Sequence, residues 1–310
     1  MPVAVETREG RELVPGGRAR RSAVRTFVRA ARPLQWTKNL LVFAGIVFAA
    51  ELGDVGRWIE ALLIFAAFCL ASSAAYLVND VHDAVEDRAH PVKRSRPVAS
   101  GELPARTALV GAAILVLLAL AAVVPAGWEA VAFVAAFLLL QAAYTARLKH
   151  VVLIDALVIA ALFVLRAGAG AVGIDVRLSP WLVLCTGLLA LFLALGKRRG
   201  ELVLVGAELT PGRPVLEGYS LALVDQLVTI VTAATISAYS IYTFTATDSA
   251  AMMLTIPFVV FGLFRYLYLV HEHHVGEEPD RVALTDVPIL ATVALWVATA
   301  AVILVLVTPA

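Results

Sequence analysis

Charge is what this chain is short of. Only 16% of its 310 residues are Asp, Glu, Lys or Arg, against about 25% in an ordinary soluble domain. Cysteine is also scarce. Cys69 and Cys185 are the only two, and both sit inside apolar runs. They read as small buried hydrophobes, which excludes a disulfide framework or a cysteine zinc site. Neither sign of charge dominates, since the formal net charge is +1, and the charges are segregated rather than spread. No nucleic-acid partner follows from such a balance. A cleavable leader is missing too: the chain opens on a long polar arm and its first apolar run comes late, as an uncleaved anchor. What fills the chain instead is apolar, at 61% of residues. The class is an all-α polytopic membrane protein.

Residues 1 to about 20 carry Gly, Pro, Glu and Arg without an apolar period and read as disordered. From Arg18 to Trp36 the chain is Arg-rich with interspersed Val and Phe27. That suits a helix lying on an anionic inner leaflet, or a flexible basic tail. Residues 1–35 thus form an N-terminal arm and residues 36–310 a membrane domain. Nine apolar stretches follow, at about 37–53, 57–80, 105–125, 128–147, 151–173, 180–197, 221–245, 251–270 and 286–308. Each is long enough to span with a tilt. Nine of the 25 Lys and Arg fall at or before Lys38, and the loops after the second, fourth, sixth and eighth spans hold most of the rest. The opposite side has only Arg57 and Arg177. The positive-inside rule then puts the N-terminus and the polar loops in the cytoplasm and the C-terminus outside the plasma membrane.

One stretch organises the chain: Asn79-Asp80-Val81-His82-Asp83-Ala84-Val85-Glu86-Asp87, then His90-Pro91-Val92-Lys93-Arg94-Ser95-Arg96-Pro97. It ends an apolar run of about twenty residues. At about 100° per residue Asp80, Asp83 and Asp87 share one helix face within about 60°, with Asn79 about 40° further round. Three such carboxylates repel unless a cation lies between them. Hard oxygen donors select Mg²⁺ or Mn²⁺, and Mg²⁺ is usually held by one or two carboxylates plus substrate phosphates. Pro91 stops the helix, and Lys93, Arg94 and Arg96 follow in a loop where they reach phosphate oxygens. The plainer account is a solvated flank that only sets orientation.

Other polar features fit the same picture. Tyr144-Thr145-Ala146-Arg147-Leu148-Lys149-His150 ends the fourth span, and Gly196-Lys197-Arg198-Arg199-Gly200-Glu201 ends the sixth. With the first loop they form one cationic mouth opposite the carboxylates, although each alone is also a positive-inside flank. Glu201 is a candidate ligand for metal or for a ribose hydroxyl. Arg166, deep in the fifth span, faces a polar interior or a neighbouring helix. Asp155 reads as structural. The small residues from Ala167 to Ala171 let a neighbouring helix approach closely. His271-Glu272-His273-His274 reads as a solvated helix end, without defined ligand geometry.

On these residues the chain resembles the UbiA superfamily of intramembrane prenyltransferases, and within it the decaprenyl-phosphate phosphoribosyltransferase branch. The motifs are Arg32-Pro33-Leu34-Gln35-Trp36-Thr37-Lys38-Asn39, the stretch from Asn79 to Pro97, Tyr144 to Lys149, Arg166 with its small-residue run, Gly196-Lys197-Arg198 with Glu201, and Glu278 to Asp286. The resemblance implies a nine-helix bundle. It implies transfer of 5-phosphoribose from phosphoribosyl diphosphate to a polyprenyl phosphate, with pyrophosphate released, for cell-wall arabinan precursors. Asp80, Asp83 and Asp87 are then the metal-binding catalytic residues. Lys38, Asn79, Lys93, Arg94, Arg96, Tyr144, Arg147, Lys149, Arg166, Lys197, Arg198 and Glu201 form the substrate-binding set. The loop after the sixth span lacks the second Asp pair of the aromatic prenyltransferases, offering Glu201 and Glu208 instead. That counts against the alternative, transfer of a prenyl group from its diphosphate to an aromatic or other acceptor. The partners implied are these two substrates and the bilayer, and a homo-oligomer is compatible with the sequence.

Overall fold

A computed structural model of the chain describes residues 16–48, 53–90, 92–206, 214–245, 250–272, 282 and 285–307. All regular structure among them is helical. In chain order the α-helices are α1 (Gly16–Ala31), α2 (Ala44–Phe48), α3 (Val55–His82), α4 (Ala84–Ala89), α5 (Ala105–Val123), α6 (Trp128–Ala146), α7 (Ile154–Val172), α8 (Pro180–Gly206), α9 (Leu221–Thr245), α10 (Ile256–Glu272) and α11 (Val287–Val307). Seven segments are long and apolar enough to cross a bilayer, and a shorter apolar helix, Val287–Ile303, accompanies them. Hydrophobic length without loops at membrane depth is what a spanning bundle requires.

Most of the described core lies in two halves. In the first, Val42, Ile64, Phe68, Val134 and Phe137 pack where α3, α5 and α6 meet, with Phe68 and Phe137 edge to face at 5.2 Å. In the second, Phe192, Val224, Leu263 and Tyr266 pack between α8, α9 and α10. Helix α7 serves both. Val158 and Leu162 belong to the first half, and Ala156 to the second.

Several sequence readings change here. The first apolar stretch is not one α-helix. It is a long 3₁₀ segment, Pro33–Phe43, followed by the short α2. Its seat on α7 shows why the small residues are there. A Cβ on Gly170 would fall 1.9 Å from the carbonyl oxygen of Val42, and one on Gly45 would fall 2.8 Å from Ala171 Cα. Backbone meets backbone, as small-residue runs permit. The sixth span does not end at residue 197. Helix α8 continues to Gly206 and carries Lys197, Arg198, Arg199 and Glu201 within it. It can do so because carboxylates on neighbouring elements neutralise its arginines. Of the N-terminal arm, residues 1–15 lie outside the described residues, as do His273, His274, Glu208 and the Glu278–Arg281 part of the last motif.

Both ends of α3 are built locally. Asp54 caps its N-terminus, accepting from the backbone N–H groups of Gly56 at 2.8 Å and Arg57 at 3.3 Å. At the other end the helix stops at His82. Asp83 leaves helical geometry (φ −91°, ψ 4°), and the chain restarts as α4. The three aspartates therefore do not share one continuous helix face. The break at Asp83 turns it away from Asp80 and Asp87.

Candidate active site

Asp80 lies in the last turn of α3 and is 1% exposed. Its Oδ1 accepts from Arg32 and from Arg96 Nη1 at 3.4 Å. Asp87, on α4, accepts from the same Arg96 nitrogen at 2.7 Å. Arg96 thereby ties the end of α3 to α4. The loop that carries it is folded rather than loose: Leu103 N–H donates to Pro97 O at 2.8 Å, and Ser100 N–H to Arg96 O at 2.8 Å.

Asp83 points elsewhere. It accepts from Lys149 Nζ and from Asn79 Nδ2 at 3.0 Å, and the His82 ring lies 3.0 Å from it. Burial pushes its carboxyl up, but the hydrogen bonds and charges of Lys149 and His82 outweigh that and hold it below the usual carboxylate range. Asn79 in turn accepts from Thr145 at 3.5 Å, which links α3 to the end of α6.

Reasoning from sequence missed Arg32 as a site residue. Its guanidinium reaches Asp80 and lies 4.8 Å from the centre of the Tyr76 ring. Its backbone sits in the left-handed region at φ 52°, rare for a residue other than glycine. The surroundings hold it there. Ala30 and Ala31 are buried, Ser73 Oγ donates to Ala31 O at 2.9 Å, and Trp36 Nε1 donates to Ser73 at 3.0 Å. Its place at the head of the Arg32–Asn39 motif was the available signal.

The other predicted residues divide. Lys93 and Arg94 are in a short 3₁₀ turn, Lys93–Ser95, beside Arg96 in sequence. Arg147 is exposed at the end of α6, and Tyr144 and Lys38 are half-buried. Lys149 is buried against Asp83. Arg166 belongs to a separate polar cluster within the bundle. It donates to Asn39 Oδ1 at 2.8 Å, to Leu162 O at 2.8 Å and to Ser72 at 3.4 Å, and stacks 4.6 Å from Phe137. Among the described contacts it fastens the 3₁₀ segment to α3 and α7.

Arg198 and Glu201 form another centre, in the second half. Arg198, 1% exposed, donates to Asp155 Oδ2 at 2.6 Å and to Glu201. Asp155 Oδ1 takes the hydroxyl of Tyr219 at 2.7 Å, and Tyr219 accepts from the backbone N–H of Leu153 at 2.7 Å. Burial and the bond to Asp155 push the Tyr219 phenol up to about 12. Next to it Arg199 is held by Asp225 at 2.7 Å and by Val270 O at 3.1 Å. Lys197, half-buried, lies on the same turn of α8. The cations are thus divided between two centres rather than gathered in one mouth.

The first centre has the chemistry of a metal–diphosphate site. Asp80 Oδ2 is buried and has no hydrogen-bond partner, an expensive state for a carboxylate oxygen unless a cation takes it. Among the described residues no three His, Cys, Asp or Glu side chains converge on one point. Mg²⁺ does not need that, since it is commonly held by one or two carboxylates with phosphate oxygens completing the shell. Asp80, with Asp87 on the shared arginine, fits that donor set.

Comparison with known proteins agrees with this architecture. The profile of the UbiA prenyltransferase family matches residues 40–287. The decaprenyl-phosphate phosphoribosyltransferase of Mycolicibacterium smegmatis is 32% identical over 317 aligned positions, covering 94% of this chain and 96% of that one. The enzyme of the same name from Corynebacterium glutamicum is 33% identical, covering 87% and 84%. Among solved structures, a UbiA homolog from Archaeoglobus fulgidus bound to GPP and Mg²⁺ superposes with a TM-score of 0.70 at 17% identity, covering 90% of this chain and 99% of that one. At that identity the likeness concerns the fold.

Proposed function

Because this chain belongs to the UbiA prenyltransferase family, we propose that it transfers 5-phosphoribose from phosphoribosyl diphosphate to a polyprenyl phosphate, decaprenyl phosphate foremost, and releases pyrophosphate. The observation that carries this reading is the pairing of Asp80 and Asp87 through Arg96, with Arg32 on Asp80 and the Asp83–Lys149 pair beside them in the chain, at one end of an apolar helix, with Asp80 Oδ2 left bare. Such a site suits a substrate held partly through metal and partly by direct contact. The relatives that match over most of their length carry the name of this reaction.

In this reading Asp80 and Asp87 would hold Mg²⁺ or Mn²⁺, and Asp83, held by Lys149 and Asn79, would act on the shell only through water. The bound ion supplies charge neutralisation to the departing pyrophosphate. Arg96, Lys93 and Arg94 take phosphate oxygens of the donor. Arg147 and Lys149, or Lys197, take the lipid phosphate or the ribose 5-phosphate. Lys38, Asn79 and Tyr144 line the approach, and Arg166, Arg198 and Glu201 support it from within the bundle. The lipid phosphate is already an anion and needs no strong base. Its oxygen forms the new bond to the anomeric carbon as the bond to pyrophosphate breaks, in line. Catalysis is then mostly positioning and preorganised charge.

We read 33–48 and Val287–Val307 as spans beside the seven longer ones, with the N-terminus and this site on the cytoplasmic side, where the Lys- and Arg-rich loops fall, and the C-terminus outside. Residues 1–35 form an arm whose helix α1 lies on the inner leaflet, its exposed Val24 and Val28 toward lipid beside Arg25 and Arg29.

The test is transfer by purified protein in detergent with anionic lipid. Radiolabelled phosphoribosyl diphosphate, polyprenyl phosphate and Mg²⁺ should send label into the organic phase. EDTA and an Asp80→Ala/Asp83→Ala variant should each abolish it. Consumption of a prenyl diphosphate with an aromatic acceptor, and no label transfer, overturns the donor.

A further inference from the structure

We propose, on the metal–diphosphate reading above, that Arg96 is an exchangeable counter-ion: it bridges Asp80 and Asp87 until a divalent cation and a diphosphate arrive together, then moves to the phosphate oxygens. Two arginines serve Asp80, and they are not alike. Arg32 is fixed by its left-handed backbone before Pro33, by the Tyr76 ring and by the buried Ala30–Ala31 turn. Arg96 reaches the same Asp80 oxygen from the loop after the Lys93–Ser95 turn. A single nitrogen, Nη1, makes its contacts to both carboxylates, at 3.4 and 2.7 Å. Its side chain is 23% exposed, close to the 26% of Arg32, so the two arginines differ in how they are anchored and not in exposure, while Asp80 and Asp87 are 1% and 5% exposed. Arg96 is therefore a cation with one side on the acids and another open.

A divalent ion drawn to Asp80 Oδ2 meets Arg96 on the same carboxylate. Like charges this close repel strongly in a site of low dielectric. The ion must displace Arg96, and Arg96 then needs another anion. Its planar fork matches phosphate oxygens bidentately, so a diphosphate arriving with the metal supplies that anion. Metal alone displaces the arginine uncompensated, and diphosphate alone finds the arginine occupied. Each ligand then raises the affinity for the other, and the coupling is reciprocal. Arg96 is in this sense a positioning residue that admits the ion with its substrate and resists it without.

The full-length protein in detergent tests this with two ligands that need no turnover. Free Mn²⁺ is followed by electron paramagnetic resonance, and radiolabelled pyrophosphate by retention at saturating Mn²⁺. Arg96→Gln should bind Mn²⁺ alone about tenfold more tightly than wild type and pyrophosphate about tenfold more weakly. Arg96→Lys, which keeps the charge without the fork, should hold Mn²⁺ as wild type does and still lose pyrophosphate. Misfolding weakens both ligands, so opposite shifts separate exchange from a structural role. Weakening of both, unchanged Mn²⁺ affinity in Arg96→Gln, or a gain in Arg96→Lys equal to that in Arg96→Gln overturns the exchange. A wild type that retains neither Mn²⁺ nor pyrophosphate overturns the metal–diphosphate reading itself.

Discussion

The centre at Asp80 and the centre at Arg198 are made of the same residue types, arranged with opposite polarity. At Asp80, carboxylates are ringed by arginines and a lysine, and one acid oxygen is bare. At Arg198, one guanidinium is enclosed by Asp155 and Glu201, and the remaining Asp155 oxygen is occupied by Tyr219. The first retains a demand for a further cation. The second is closed on itself. A satisfied buried network rigidifies, whereas a network with one member unsatisfied is where ligands act. The difference lies in one hydrogen bond rather than in composition.

The comparison predicts that function and stability part company. The largest effect is expected at Asp80→Asn. Transfer should fall at least about 10³-fold, a loss of ~4 kcal/mol of transition-state stabilisation, while the melting temperature in detergent stays close to wild type. Next is Arg198→Met. Removing one partner of a buried ion cluster costs about 3–5 kcal/mol of stability, seen as a large drop in melting temperature, while activity per folded molecule changes little. A fall in turnover without a fall in melting temperature would make the second centre part of the reaction site. Third, Tyr219→Phe should cost about 1–3 kcal/mol, because Asp155 keeps its burial and loses a donor. Since Tyr219 ionises at about 12, its contribution should be constant at every working pH below about 11.

The smallest effect concerns Asp83. Its carboxyl is held below the ordinary range, so the folded state binds a proton there less readily than the unfolded chain. That stabilisation is fully present above about pH 4, the ordinary value, and is lost as pH falls through the depressed folded value. Melting temperature should be insensitive to this group between about pH 5 and 8 and should drop in acid. Lys149→Gln should reduce that acid dependence, and an unaltered acid limb would remove Lys149 from the account.

The sequence made some of this readable and hid the rest for a physical reason. Hydrophobic length, the Asp-rich stretch and the small-residue run of α7 are local patterns. The run's meaning, close backbone approach, reappears in Gly170 against Val42. Helix periodicity assumed that α3 continued past Asp83, because nothing in the spacing marks the break there. The partnerships that define the two centres join residues far apart in the chain. Arg32 reaches Asp80 over 48 positions, Lys149 reaches Asp83 over 66, and Arg198 reaches Asp155 over 43. Windows of a few turns contain no trace of such pairs. The α8 arginines looked like a loop for the same reason: the acids that neutralise two of them include Asp155, on another helix, and Asp225 further along the chain.

Helix α7 packs into both halves of the core, holds Asp155 of the second centre and, through Arg166, grips the 3₁₀ segment of the first half. Helix α5, which packs mainly on α3, exposes Val110, Ile114, Leu117 and Leu118, where one aliphatic residue can stand in for another. Across a library of single substitutions α7 should therefore accept few changes outside its exposed Ile154 and Leu157, and α5 many. Drift in one half of the molecule must pass through α7 before it reaches the other.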